Sequence, residues 1–394
     1  MRKRCIVCNG NLHHLIDIKN MPSSAQNIPC KNELKLDKPI TLSMCQCEEC
    51  GLVQLDTEPV DYYKDVIRAG GGTTTMEKLR QEEYSRLLNT MKEKGIKGRN
   101  IIEVGCGRGE FINMWKNVQE PVSVCGIEHK LDLVKEANRN GLNVIQMFAE
   151  DGAVFPNAPY DAFVQFNFLE HQPNPLEMLK CIYKNLKDGA IGLVTVPSFE
   201  YIMKYDGYYE LIRDHIAYYD ERTLRELFER ADFKVINEQI VNRDTIEIIV
   251  EKVKNTEFNK SSFNGVYADV EPLLKNYEKI HHDFEQHAKQ LENEHKTIAM
   301  WGAGHQGFTL AATTDMLGKV QYIIDSAEFK QGRFAPASHV PIVAPSYFFE
   351  HPVDEILIVA PGYTDEIAKT IRSEFGNTVR ISVLKSEKIT EYVE

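Results

Sequence analysis

The chain has no apolar run near the roughly 18 residues that a bilayer-spanning helix requires. It has no excess of positive charge either. Its 46 Lys and Arg face 58 Asp and Glu, for a formal net charge of −12. That balance excludes broad adhesion to a nucleic-acid polymer or an anionic membrane and leaves only a local basic pocket open. The opening MRKRCIVCNG lacks the apolar h-region of a secretory signal, so a cytoplasmic location is expected. No internal repeat or low-complexity tract is present, and nothing sets an oligomeric state. The nine cysteines are an awkward number for a disulfide framework, and in a reducing compartment paired CxxC spacings point to metal.

What is present suits two or three domains: 394 residues, 43% hydrophobic, can bury substantial cores. Residues 1–60 show little helical periodicity, hold six of the cysteines and contain turn formers such as CNGN and MPSSAQN. Residues 61–255 alternate helical patterns with short β-rich runs (NIIEVG, SVCGIE, NVIQMFA, DAFVQFNF, IGLVTVP), the signature of a parallel sheet covered on both faces. The polar stretch KVKNTEFNKSSFNG reads as a linker into a third segment, 256–394. There a long charged helix precedes a second alternating block with strands TIAMWG, VQYIID and EILIVA.

Cys5 and Cys8 form CIVC, and Cys47 and Cys50 form CEEC. Each CxxC turn aims two thiolates at one point, so two turns complete the closed tetrahedral set of a structural Zn2+. Cys45 lies close enough to compete as a ligand, and four unrelated buried thiols remain the alternative. A module of this size is expected to need the ion for its stability.

In NIIEVGCGRGEF a buried strand carrying Glu103 runs into Gly105, Gly107 and Gly109 before a helix. Glycines there permit a tight turn and a close approach of ligand to backbone. Glu128, at the end of the next strand, stands where a carboxylate can accept hydrogen bonds from both ribose hydroxyls. The loop resembles that of class I S-adenosylmethionine (SAM)-dependent methyltransferases, spaced G-x-G-x-G. The resemblance extends to MFAED, where Ala149 and Glu150 would lie beside the adenine, and to FNFLEHQPNP, where Asn167 and His171 would lie near the methyl group. A glycine turn in another doubly wound sheet is the alternative.

The order of the parts is more specific than any one of them. CEECGLVQL, a methyltransferase core, and a last domain with GAGHQG and DSAEFKQGRFAPASHVPI together resemble the sugar C-methyltransferases that act on nucleotide-linked keto-deoxysugars. The resemblance implies an α/β protein: a class I methyltransferase Rossmann-like core with a small N-terminal zinc module and a C-terminal Rossmann-like α/β domain that holds the acceptor. It also implies SAM as methyl donor, a nucleotide-linked sugar as partner, and carbon attack through an enolate. The family's active-site stretch aligns with IRDHIAYYDERTL, so that His215 falls on the general base and Asp214 on its acidic neighbour. His171 is a further candidate. This Asp-His pair can equally cap the helix that follows.

Several positions depart from the family. Ile212 stands where the family has a tyrosine, and an isoleucine cannot donate a hydrogen bond to a developing enolate. VIRAGGGTTT and VNRDTIEI replace two other family stretches, and Tyr208, Tyr209, Tyr218 and Tyr219 are possible substitutes for the missing phenol. O- or N-methylation of a related activated sugar is therefore a second expectation, and a non-enzymatic ligand-sensing or assembly module a third.

The later glycine loop sets Gly302, Gly304 and Gly307 between a strand and a helix, with Asp325 at the end of the next strand. Alone this is a dinucleotide fingerprint, but the same backbone groups suit the diphosphate of a nucleotide sugar. The loop glycines, His305, Lys330 and Arg333 are accordingly expected to bind the acceptor. Bound NAD and a purely structural half-domain are the alternatives.

Overall fold

The computed structural model describes residues 2–65, 74–118, 121–254, 263–385 and 388–393. Most of VIRAGGGTTT and the middle of the linker stretch lie outside the described residues. By internal contacts the chain forms two compact units. One comprises residues 1–14, 45–201 and 215–267, the other 15–44, 202–214 and 268–394. The serial segments 1–60, 61–255 and 256–394 cut across this grouping, because residues 15–44 and 202–214 associate with the C-terminal block. Among the described residues no helix is long and apolar enough to cross a membrane.

The N-terminal part supplies three strands, β1 (Leu12–Met21), β2 (Ile40–Cys47) and β3 (Val53–Leu55), which lie in that order in one sheet. In the first unit α1 (Thr74–Glu93) precedes β4 (Asn100–Val104), α2 (Glu110–Met114), β5 (Ser123–Glu128), α3 (Leu131–Arg139) and β6 (Val144–Gln146). Then come β7 (Tyr160–Phe166), α4 (Pro175–Lys184), β8 (Leu186–Pro197), α5 (Phe199–Lys204), β9 (Ala217–Tyr218), α6 (Glu221–Arg230), β10 (Phe233–Val241) and β11 (Thr245–Lys252). α5 runs across the boundary between the units, and β9 pairs antiparallel with β3 at the edge of the small sheet.

The seven-stranded sheet has the order β10-β11-β8-β7-β4-β5-β6. β4 to β8 are parallel, and the hairpin β10–β11 adds to β8 antiparallel. Every residue of β7 is buried, as a central strand covered on both faces must be. One apolar layer includes Phe163, Leu179 and Phe233, and the other includes Tyr84, Trp115 and Phe166. The first layer also takes in Cys5, Val7, Cys47, Cys50 and Leu52. The cysteine segment therefore shares the core of the seven-stranded sheet rather than building its own. The order reverses at β4, whose neighbours are β5 and β7, and such a switch point opens a ligand crevice at the carboxyl ends of the strands.

In the second unit α7 (Glu271–Asn293) leads to β12 (Ile298–Trp301), α8 (His305–Thr313), β13 (Val320–Ile324), β14 (Ile342–Val343), β15 (Glu355–Ile358), α9 (Thr364–Glu374), β16 (Arg380–Lys385) and β17 (Lys388–Glu391). The six-stranded sheet runs β14-β13-β12-β15-β16-β17, parallel except for β17, and reverses at β12. The sequence patterning anticipates β12, β13, β15 and α7, but not β16 or the edge strands β14 and β17.

Buried Glu355 ties α7 to this sheet, accepting hydrogen bonds from His287 Nε2 at 2.7 Å and Ser382 Oγ at 2.6 Å. Burial pushes the Glu355 carboxyl up, but the bonds from His287 and Ser382 and the nearby Arg380 charge outweigh it and hold the group below its ordinary value. A carboxyl depressed on folding contributes stability above its unfolded pKa of about 4.3, lost as pH falls through the folded value. Glu355→Gln is therefore expected to destabilise the protein at pH 7 by about 1.5–3 kcal/mol, the worth of a charged hydrogen bond. Denaturant unfolding should show the gap from wild type shrinking as pH falls below about 4. A gap independent of pH would reject the charged pairing.

Candidate active site

The four thiols of the CxxC pairs converge. Cys5 Sγ lies 3.6 Å from Cys50 Sγ, and Cys8 Sγ 3.3 Å from Cys47 Sγ. All four sulfurs lie within 4.8 Å of one another, and none is in a disulfide. Zn–S bonds of about 2.3 Å place the edges of a tetrahedron at roughly 3.8 Å, so the set can hold one Zn2+ with little adjustment. Backbone amides of Val7, Gly10 and Glu49 donate to Cys5, Cys8 and Cys47, each at 3.4 Å, an arrangement that stabilises thiolate charge. Cys45 is buried but is not a member of this cluster.

The first glycine loop leaves β4 at the switch point. Gly105, Gly107 and Gly109 all have positive φ, 71°, 59° and 79°, the conformation in which glycine carries no steric penalty. A Cβ on Gly105 would also press into the Phe168 ring. Glu128, 1% exposed, accepts the Gly107 amide at 3.0 Å and the Lys130 amide at 2.9 Å. The carboxylate at the end of β5 is thus fixed against the glycine turn. Glu103 is fully buried in β4. Ala149 is buried just after β6, whereas Glu150 is exposed and paired with Lys64 at 3.0 Å. Asn167 has φ of 45°, and its side-chain oxygen accepts from Thr195 Oγ1 at 3.0 Å.

Two aromatic residues at this edge escape a reading of spacing. Phe148 lies under Lys64 Nζ, 4.5 Å from its ring centroid, and meets the Phe168 ring edge to face at 6.4 Å. Both follow strands that end at the crevice. Their only signal in the sequence is an aromatic residue just past each strand end.

His171 closes a short helical turn after β7 (Leu169–His171), and His215 precedes β9. Their rings meet edge to face at 4.7 Å, and the Ile216 amide donates to the Glu170 carbonyl at 2.9 Å, which joins the two segments. Glu170 was not singled out by the sequence. Its Oε1 lies 3.9 Å from His171 Nε2 and 3.8 Å from His215 Nε2. Burial pushes its carboxyl up to about 8, which favours the neutral acid beside two imidazoles at neutral pH. Tyr218 lies near His215, with ring centroids 6.3 Å apart, and Tyr219 is fully buried.

Asp214 belongs to the second unit, where its Oδ2 accepts the Ala25 amide at 2.8 Å. The helix after the Asp-His pair is capped instead by Asp220, whose carboxylate takes the Thr223 amide in a capping box. The capping alternative for Asp214 is therefore overturned: Asp220 is the residue next to the first turn of α6. Tyr208 donates to or accepts from Thr313 at 2.9 Å, and Ile212 lines a crevice with Pro22, Arg213, His305 and Phe308, all within the second unit.

The second glycine loop has the packing roles of a Rossmann turn. A Cβ on Gly302 would run into the Val359 carbonyl oxygen, and one on Gly307 into that of Gly302, whereas Gly304 is open. The polar residues, however, turn inward. Asp325 accepts the Ala303 amide at 3.0 Å and Lys330 Nζ at 2.9 Å, and Lys330 also donates to the Ala303 carbonyl at 2.9 Å. Arg333 donates to the Ile28 carbonyl at 2.8 Å, and His305 pairs with Glu210 at 2.9 Å. Lys330 and Arg333 hold this loop and the 15–44 segment in place.

Two family models match the chain: a methyltransferase domain over residues 76–238, and a C-methyltransferase C-terminal domain over residues 237–381. The C-methyltransferase NovU of Streptomyces niveus is 22% identical over 308 residues, 73% of this chain and 72% of the relative. Similar solved structures include a SAM-dependent methyltransferase of Archaeoglobus fulgidus, 18% identical, covering 45% of this chain and 94% of that one with a TM-score of 0.35. Another, of Aquifex aeolicus, is 19% identical, covering 47% and 100% with a TM-score of 0.34. The strand order with its glycine turn and the matched domains define a SAM-dependent methyltransferase of class I fold. The C-terminal domain match and the relative together support a C-methyltransferase.

Proposed function

We propose that this chain methylates carbon on a nucleotide-linked keto-deoxysugar, with His215 as the base. The observation that carries the reading is the cluster of His215, His171 and buried Glu170 next to the switch-point crevice of a class I core. When bound, SAM supplies an electrophilic methyl group. The residues proposed to hold it are the Gly105–Gly109 turn, Glu103 and Glu128, with Ala149, Glu150 and Asn167 along the strand ends. His215, as a neutral imidazole, takes the proton alpha to the ring ketone, which leaves the carbon as nucleophile. His171 fixes the orientation of that ring.

The C-methyltransferase relative and domain match support carbon as the attacking atom, and the motif resemblance supports the sugar. The serial segments keep their proposed roles: a structural zinc module at 1–60, a donor core at 61–255 and an acceptor domain at 256–394. The Lys330 pairing of Asp325 supports an acceptor role for the second glycine loop over NAD binding, because it engages the carboxylate that would otherwise take ribose hydroxyls. A second reading, transfer to oxygen or nitrogen, is favoured by Ile212, since a heteroatom already carries a lone pair and needs no enolate. Carbon-labelled methyl donor and NMR of the product separate the two: label on a ring carbon supports the proposal, and label on oxygen or nitrogen overturns it.

Donor binding supplies a further test. Glu128→Ala is expected to weaken SAM affinity by roughly one to two decades, the worth of a charged hydrogen bond of about 1.5–3 kcal/mol. Acceptor affinity should change little. Isothermal titration showing unaltered SAM affinity in a folded variant would remove Glu128 from the ribose site.

A further inference from the structure

Three ligand atoms of different chemistry converge outside the cysteine cluster. Oε1 of Glu170 faces Nε2 of His171 at 3.9 Å and Nε2 of His215 at 3.8 Å, and the three groups lie within 4.8 Å of one another. These two separations exceed the 2.7–3.2 Å of a hydrogen bond, so neither Nε2 is bonded to that carboxyl oxygen. Glu170 is 2% exposed, and its Oε2 is buried with no hydrogen-bonding partner among the described residues. A buried carboxyl oxygen without a partner is costly and calls for a proton, a water or a cation. The two imidazoles retain 14% (His215) and 11% (His171) exposure, which gives an ion a way in.

We propose that Glu170, His171 and His215 form a second divalent-cation site, whose occupancy withdraws the His215 imidazole from proton transfer. Two imidazoles and one carboxylate are a ligand set for zinc, cobalt or nickel, not for magnesium or calcium, which prefer oxygen alone. Metal bonds of about 2.0–2.2 Å set ligand edges near 3.4 Å, so a sub-ångström closure of the rings on the carboxylate suffices. The fourth position stays open to water. Binding to Nε2 uses a lone pair that the neutral imidazole otherwise offers to a proton. The ion therefore acts as an inhibitor. This consequence rests on His215 being the base; the site itself does not.

The test uses the full chain with its cysteine site filled, titrated with Co2+ or Zn2+ under equilibrium dialysis and assayed for methyl transfer. One additional ion per chain is expected, and bound Co2+ should show d–d absorption without thiolate charge transfer. Transfer should fall as the second ion binds and recover with a mild chelator that leaves the cysteine site filled. Glu170→Gln and His171→Asn should each weaken the second ion by at least about 10-fold and lose the corresponding inhibition, with the cysteine-bound ion retained as the sign of a folded chain. No second ion in the wild type, or one undiminished in both variants, overturns the site. A second ion that is lost in the variants yet never inhibits keeps the site and overturns the base assignment.

Discussion

His215→Asn is expected to lower kcat by about 10²–10⁴-fold, the usual contribution of a general base, while the affinities for donor and acceptor stay near those of the wild type. Asparagine keeps a smaller planar polar group beside Glu170 but cannot accept a proton near neutral pH. The loss should therefore fall on turnover and not on KM. A stricter readout is available if the acceptor is a keto sugar. In deuterated water, with a non-reactive analogue in place of the donor, the wild type should exchange the proton alpha to the ketone and the variant should not. Absence of exchange in the wild type would point to a heteroatom acceptor. A variant that turns over normally would leave His215 as a packing partner of His171.

Cys47→Ser is expected to take zinc from one ion per chain to nearly none and to lower stability by about 3 kcal/mol or more, since metal binding at a structural site is folding free energy. For a unit of this size that corresponds to a fall in thermal midpoint of roughly 6–12 °C. The effect should spread beyond the cysteine segment, because Cys5, Val7, Cys47, Cys50 and Leu52 belong to the apolar layer that also holds Leu179 and Phe233. Stripping the metal from the wild type should reproduce the loss, and returning zinc should reverse it. Full zinc content in the serine variant would mean that the sulfurs gather for packing alone.

Much of the donor side was legible in the residue order. NIIEVG, SVCGIE and DAFVQFNF appear as β4, β5 and β7, because a strand buried on both faces must be a near-continuous apolar run, and NVIQMFA appears as the edge strand β6. Gly105, Gly107 and Gly109 were legible because their backbone has positive φ, a conformation with a strong residue preference. The two CxxC pairs were legible because a tight turn brings its own ligands together. Pairing one turn with the other required the fold, but few alternatives remained.

The cluster of Glu170, His171 and His215 shows where such reading stops. His215 and His171 were each found from local motifs, but Glu170 acquires its character only from being enclosed, with both imidazoles facing one of its oxygens. Burial raises its carboxyl, and burial is a property of the surroundings, not of LEH as a tripeptide. Lys330 and Arg333 are the converse case. They were expected to bind the acceptor, and the fold engages them with Asp325, the Ala303 carbonyl and the Ile28 carbonyl, partners 5, 27 and 305 residues away. The sequence by itself determined which stretches turn, which strands are buried and which thiols can meet, because each follows from neighbours within a few positions. Only the tertiary structure decided which charges face inward and which carboxyl is enclosed. Desolvation and long-range pairing are sums over groups that the chain brings together from distant parts.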